Sequence, residues 1–352
     1  MKEIHARRGR GAATNPINHF ERFHCEEDIG ALTDDERRSI PTQLFYDDSK
    51  SILSKNNSPD VPFTYSVNPY RGCEHGCSYC YARPTHEFLG FSAGLDFESR
   101  IVVKRRAPEV LADAFENASW HPQVIALSGN TDPYQPIERK LEISRRCLSV
   151  FLKHHNPVSI ITKNHLVTRD LDLLRQLALH NLVTVTLSIT SLNPDLTGKM
   201  EPRTSRPVAR LATIEAMAGS GIPTGVNVAP VIPGLNDEEV PAILKAAAES
   251  GATYAGYLMV RLPGSTEEIF SEWIARAFPN RARKVLARIR SIHGGNLDDA
   301  KFVRRMRGVG PWARLTARLF SVTCTSVGLN RSVPVLSTEQ FRRLPGGQLS
   351  LF

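Results

Sequence analysis

Gly72-Cys73-Glu74-His75-Gly76-Cys77-Ser78-Tyr79-Cys80 puts three cysteines on one short loop in a C-x3-C-x2-C spacing. The loop follows Phe63-Thr64-Tyr65-Ser66-Val67, a run of β-prone residues. From there to about residue 262, strand-like and helix-like segments alternate. Further strands are expected at Gln123–Leu127, Val158–Thr162, Val183–Ile189, Thr224–Ala229 and Ala252–Met259. Helices are expected near Glu109–Glu116, Glu138–His154, Arg169–His180, Pro207–Gly219 and Glu238–Ser250, the last capped by Asp237. Strands alternating with helices of this length make βαβ units and a parallel sheet. Six units fall short of the eight in a closed barrel, so the expected fold is α/β, a partial open (β/α)6 barrel. The cysteine loop then lies at the C-terminal ends of the strands, where such folds place their chemistry.

The chain has 352 residues, 41% hydrophobic and 23% charged, which excludes a fibre, a wholly disordered chain and a disulfide scaffold. No apolar run approaches the ~20 residues of a membrane span. No apolar segment follows the basic start Met1–Arg8, so a cytoplasmic location without a membrane partner is expected. Cys25, Cys147 and Cys324 complete a set of six cysteines, expected to be reduced. Cys147 shares helical spacing with Leu148 and Phe151 and reads as a core residue. A zinc site usually takes four ligands. Three thiolates on one loop suit three irons of a [4Fe–4S] cluster and leave the fourth iron open. A structural zinc knuckle stands as the alternative.

The formal charge is +8, from 44 basic and 36 acidic residues. It is concentrated. Between Arg281 and Arg318 stand 11 cations against Asp298 and Asp299, a net +9 that leaves −1 for the rest of the chain. Nine of the 11 are arginines, whose planar fork suits phosphate. Arg281, Arg283, Lys284, Arg288, Arg304, Arg305 and Arg307 are the expected nucleic-acid contacts, on helices whose apolar side packs on the barrel. A solvated face serving solubility is the plainer reading. The expected organisation is an irregular basic N-terminal arm (1–60), the barrel (61–262), a basic helical extension (263–328) and a tail (329–352). Arg7, Arg8 and Arg10 alternate with Gly9 and Gly11 as in a flexible arm.

The cysteine motif resembles that of the radical S-adenosylmethionine (radical SAM) superfamily, and Tyr79 before the last cysteine fits the same signature. The flanks are similar to the spore photoproduct lyase group, or DNA repair photolyases. The matching stretches are Asn68-Pro69-Tyr70-Arg71-Gly72-Cys73, Cys80-Tyr81-Ala82-Arg83, Thr131-Asp132-Pro133-Tyr134-Gln135, Ile161-Thr162-Lys163-Asn164 and Glu201-Pro202-Arg203. The resemblance implies that Cys73, Cys77 and Cys80 hold a [4Fe–4S] cluster. It implies that the open iron chelates S-adenosyl-L-methionine and that reductive cleavage gives a 5′-deoxyadenosyl radical. An electron donor such as flavodoxin or ferredoxin is then a partner. Tyr79, Thr131, Asp132, Lys163, Ser188 and Arg203 are the expected cofactor-binding residues. One departure matters: spore photoproduct lyase has a hydrogen-donating cysteine where this chain reads Ser128-Gly129-Asn130. The lyase reaction itself therefore does not transfer.

The chain ends Gln348-Leu349-Ser350-Leu351-Phe352 after Pro345-Gly346-Gly347. This pentapeptide looks like the motif by which bacterial replication and repair proteins dock on the DNA sliding clamp. Gln348, Leu349, Leu351 and Phe352 would be the anchors. The expected function is a radical SAM enzyme acting on nucleic acid, with DNA favoured. The alternatives are a radical SAM enzyme acting on RNA, a protein or a small molecule, or a non-catalytic metal-binding adaptor of the clamp.

Overall fold

The computed structural model describes residues 7–21, 40–329 and 333–344. Its strands in chain order are β1 (Gln43–Tyr46), β2 (Leu53–Lys55), β3 (Tyr65–Val67), β4 (Tyr70–Arg71), β5 (Arg100–Val103), β6 (Ile125–Leu127), β7 (Val158–Thr162), β8 (Val183–Ser188), β9 (Thr224–Val231) and β10 (Tyr254–Met259). The helices are α1 (Leu95–Ser99), α2 (Ala107–Glu116), α3 (Glu138–Leu141), α4 (Ile143–His154), α5 (Leu171–Leu179), α6 (Pro194–Met200), α7 (Pro207–Ala218), α8 (Val240–Glu249), α9 (Thr266–Ala277), α10 (Pro279–Ile292), α11 (Arg304–Arg307) and α12 (Gly310–Val327).

The main sheet runs β10-β9-β8-β7-β6-β3-β2. Its six strands from β3 to β10 pair in parallel, and β3 and β10 do not meet, so the six-unit barrel is open as expected. β8 is buried along its whole length, as a strand covered on both faces must be. The helices packed on the sheet bury one stripe each; on α4 this includes Cys147, Leu148 and Phe151, with no side-chain exposure. Each of the larger side chains contributes about 1.5–3 kcal/mol on leaving water.

Four details depart from the sequence reading. First, the stretch before residue 60 is irregular only in part. β1 extends a second sheet, β1-β5-β4, and β2 pairs antiparallel with β3 at the open edge of the barrel. Residues 10–13 are buried: Arg10 donates to the Glu98 and Ile40 carbonyls. The glycines that suggested flexibility instead permit contact, because a Cβ on Gly11 would lie 1.8 Å from the Gly76 carbonyl oxygen. Second, the long helix expected over Glu138–His154 is broken at Glu142, which has φ 51°. The buried Glu138 carboxylate accepts from Ser144 and Arg145 amides, capping α4 from within the chain. Third, Asp237 caps no helix, since its carboxylate accepts from Gly234 in the preceding turn. Fourth, residues 333–344 run across the N-terminal ends of the strands. There Arg342 donates from its amide to the His154 carbonyl, and Arg343 donates to the Trp120 carbonyl. Cys25 and Gln348–Phe352 lie outside the described residues.

Candidate active site

The cysteine loop leaves β4 and crosses the C-terminal mouth of the barrel. Gly72 and Gly76 turn it with φ of 77° and 66°, a region that costs other residues strain. Cys73 and Cys77 are buried and Cys80 is half-buried. Burial pushes all three thiols up; Asp132 and the other two cysteines add to this at Cys73, and Glu201 adds to it at Cys77. The three cysteines are therefore electrostatic neighbours. No group of three His, Cys, Asp and Glu among the described residues is arranged to grip a single metal ion. Three neighbouring thiols on one loop suit three corners of a [4Fe–4S] cluster.

The loop is held by two buried ion pairs that lie far apart in sequence. Under it, Arg83 donates twice to the Cys77 carbonyl and to the Ala93 and Gly94 carbonyls, and pairs with Glu98. Both side chains have no exposure. Glu98 also accepts from the Gly11 and Ala12 amides at 3.0 and 2.8 Å, which draws the N-terminal segment against the loop. Facing the barrel, Tyr79 donates to Glu201, and Glu201 pairs with Arg210. Burial alone would raise the Glu201 carboxyl, but Arg210, Lys163 and the Tyr79 hydroxyl hold it below the usual carboxylate range.

The expected cofactor residues fall into two groups. Lys163 directly follows β7 and points inward, 2.9 Å from the Ala229 carbonyl, 3.8 Å from Glu201 and 5.8 Å over the Tyr79 ring. Ser188 ends β8; its carbonyl accepts from Arg210, and its hydroxyl has no hydrogen bond among the described residues. Thr131 donates to the Tyr70 carbonyl. Asp132 fastens the loop after β6 to β7, accepting from Thr162 and from the Lys163 amide, and lies 3.5 Å from the buried His75. These four and Tyr79 gather on one rim. Arg203 lies apart from them, paired with Glu74 at 3.2 Å and in reach of Thr42, while its amide donates to the His75 carbonyl. Glu201, Arg83 and Glu98 were not singled out from sequence, although Arg83 and Glu201 stand inside the quoted motifs. Tyr81 was also missed. It is 47% exposed beside Cys80, donates to the Gly129 carbonyl and lies under the Arg261 guanidinium at 5.5 Å.

The seven expected nucleic-acid residues also divide. On α10, Val285, Ile289 and Ile292 face inward, the first two in the same apolar cluster as Cys77 and Tyr79. Arg281, Arg283 and Lys284 face outward. The other four have internal work. Arg288 stacks over Trp312 at 3.8 Å, and Arg304 lies 3.1 Å from Asp299. Arg305 pairs with Asp60, and Arg307 donates to the Tyr257 carbonyl.

Fold and loop together define a half-open α/β barrel with a polynuclear iron–sulfur loop at its mouth. The radical SAM superfamily pattern matches residues 67–247. An uncharacterised protein of Mycobacterium tuberculosis is 39% identical over 247 residues, covering 69% of this chain and 72% of the relative. One from Methanocaldococcus jannaschii is 29% identical over 175 residues, or 50% and 63% of the two chains. A spore photoproduct lyase variant shares the fold with a TM-score of 0.55 at 17% identity, covering 84% of this chain and 86% of that one. The lyase complexed with dinucleoside spore photoproduct gives 0.51 at 19% identity, over 67% and 66%. The chain belongs to the radical SAM superfamily. It is a radical SAM enzyme whose cofactors are a [4Fe–4S] cluster and S-adenosyl-L-methionine, and the three neighbouring cysteines fit the first of these.

Proposed function

We propose that this enzyme repairs or modifies nucleic acid, with DNA the favoured substrate. When bound, the cluster and S-adenosyl-L-methionine supply a 5′-deoxyadenosyl radical able to take a hydrogen atom from an unactivated carbon. The chain's own residues bind, orient and exclude water. Lys163 and the free Ser188 hydroxyl would hold the cofactor's carboxylate and ribose, while Glu201 holds Lys163 and Tyr79 in place. The buried barrel walls keep solvent from the reacting atoms.

The observation that carries the substrate reading is the outer face of α10. Arg281, Arg283 and Lys284 have no side-chain ion pair or hydrogen bond among the described residues. The opposite face of that helix belongs to the same apolar cluster as Cys77 and Tyr79 of the cysteine loop. The lyase complexed with a dinucleoside photoproduct supports the reading by fold alone. Cys147 and Cys324 are buried in the core, so among the described residues neither offers a hydrogen donor at the mouth. The lyase reaction is not part of the proposal.

The test is binding to duplex DNA, single-stranded DNA, tRNA and peptide at several salt concentrations. DNA should bind tightest. Replacing all three cations by alanine should shallow the slope of log affinity against log salt by about 2–3. A preference for tRNA or peptide, or an unchanged slope, would overturn the reading. The terminal Gln348-Leu349-Ser350-Leu351-Phe352 pattern supports a second partner, the bacterial sliding clamp. This partnership requires that deleting residues 348–352 abolishes clamp binding.

A further inference from the structure

A groove of about 440 Å³ lies on the outer side of the rim, between α3, the turn after β7 and the start of α7. Arg139, Asn164, His165, Arg169, Ser205 and Arg206 line it, and no Asp or Glu does. Arg169 is neutralised by Glu138 and Asp170. Arg139 and Arg206 are exposed, and neither guanidinium has a hydrogen bond or ion pair among the described residues. Beyond Glu138 and Asp170, Glu142 lies beside the lining, 3.9 Å from Arg169. Two uncompensated arginines in a concave, acid-free site make a positive field aimed at solvent.

The position of the groove relative to the cysteine loop decides its use. Successive residues at a strand end point to opposite sides. Lys163 therefore points inward, to Tyr79 and Glu201, while Asn164 points to the groove. The Asn164 side-chain nitrogen lies 3.2 Å from Nε2 of His75, which stands in the loop between Cys73 and Cys77. The groove is thus linked to the cysteine loop through Asn164, on the side away from Lys163 and Tyr79. The exposed cations of α10 belong to another sector of the rim, because Arg288 ties that helix to Gly234 and Asp237 after β9.

We propose that this groove docks an acidic one-electron carrier protein that reduces the cluster. The inference rests on the radical chemistry proposed above and adds its partner surface. One electron leaves the reduced carrier, which is oxidised, and enters the oxidised cluster; no bond or proton changes hands. Carrier and substrate then use different faces and need not compete.

The experiment compares the cluster-loaded wild type with Arg139→Glu/Arg206→Glu and with Arg139→Lys/Arg206→Lys. Affinity for purified flavodoxin and ferredoxin is measured by calorimetry at low and high salt. S-adenosyl-L-methionine cleavage is then driven either by reduced flavodoxin or by dithionite. The Glu variant should bind the carrier about tenfold or more weakly. Its carrier-driven cleavage should fall in step, with dithionite-driven cleavage and DNA affinity unchanged, and the Lys variant should restore binding. Carrier affinity equal to wild type, a wild type that binds neither carrier, or a loss confined to DNA affinity would each overturn the docking proposal. A wild type inert even with dithionite would instead overturn the radical chemistry, while the binding measurement still judges the groove.

Discussion

The phenol of Tyr79, one residue before the last cysteine, donates a hydrogen bond to the buried carboxylate of Glu201, 122 residues along the chain. Glu201 in turn holds Arg210, Thr190 and Lys163. One carboxylate thereby joins the cysteine loop to the chain just after β7 and β8 and to α7.

Removing that carboxylate should be costly. Glu201→Ala leaves the fully buried Arg210 guanidinium without its counter-ion, a change worth about 3–5 kcal/mol. Urea unfolding should show the loss, and anaerobic reconstitution should give less iron per chain. Full iron retention would mean that Tyr79 does not need this anchor.

Cys73→Ala, Cys77→Ala and Cys80→Ala should each fail to hold a stable cluster, whereas Cys147→Ala should retain it, since Cys147 only fills the core. Iron and sulfide assays with visible absorption read the outcome. A Cys80→Ala protein with a full complement of iron would sink the three-cysteine assignment.

Lys163→Met keeps the stem and removes the charge. A charge-assisted hydrogen bond is worth about 1.5–3 kcal/mol, so S-adenosyl-L-methionine should bind about tenfold or more weakly while iron stays bound. Equal affinity would restrict Lys163 to its contacts with Glu201 and the Ala229 carbonyl.

Gly11→Ala forces a methyl group into the Gly76 carbonyl oxygen. Overpacking of this kind costs about 1–3 kcal/mol. The segment around Arg10 should detach from Glu98 and become cleavable by trypsin, with faster loss of the cluster in air. A wild-type digestion pattern would show that the loop yields instead.

His86 supplies the pH dependence. Burial between Phe91 and Phe97 lowers its imidazole to about 4. Against an unfolded value near 6.5, the unfolded chain binds more protons between these limits. The stabilising contribution is therefore complete above about pH 6.5 and is lost as pH falls toward 4, by up to about 3 kcal/mol. Urea titrations at stepped pH should show this slope in the wild type and a flatter one in His86→Phe. Parallel slopes would assign the acid sensitivity elsewhere.

Much of this molecule is legible in its sequence because the governing signals are local. Hydrophobic period sets the six βαβ units, and the spacing of Cys73, Cys77 and Cys80 sets the cluster loop, all within a few turns of chain. The concentration of charge near α10 is visible by counting. Pairings between distant segments are not legible in this way. Nothing near Glu201 announces Tyr79, nothing near Gly11 announces Gly76, and nothing in the Arg281–Arg307 run says which arginines will be consumed by Trp312, Asp299, Asp60 and Tyr257. Burial makes those choices. A charge removed from water must find a partner wherever the closed chain supplies one, and only the charges left over, as at Arg139, Arg206 and the outer face of α10, remain to meet another molecule.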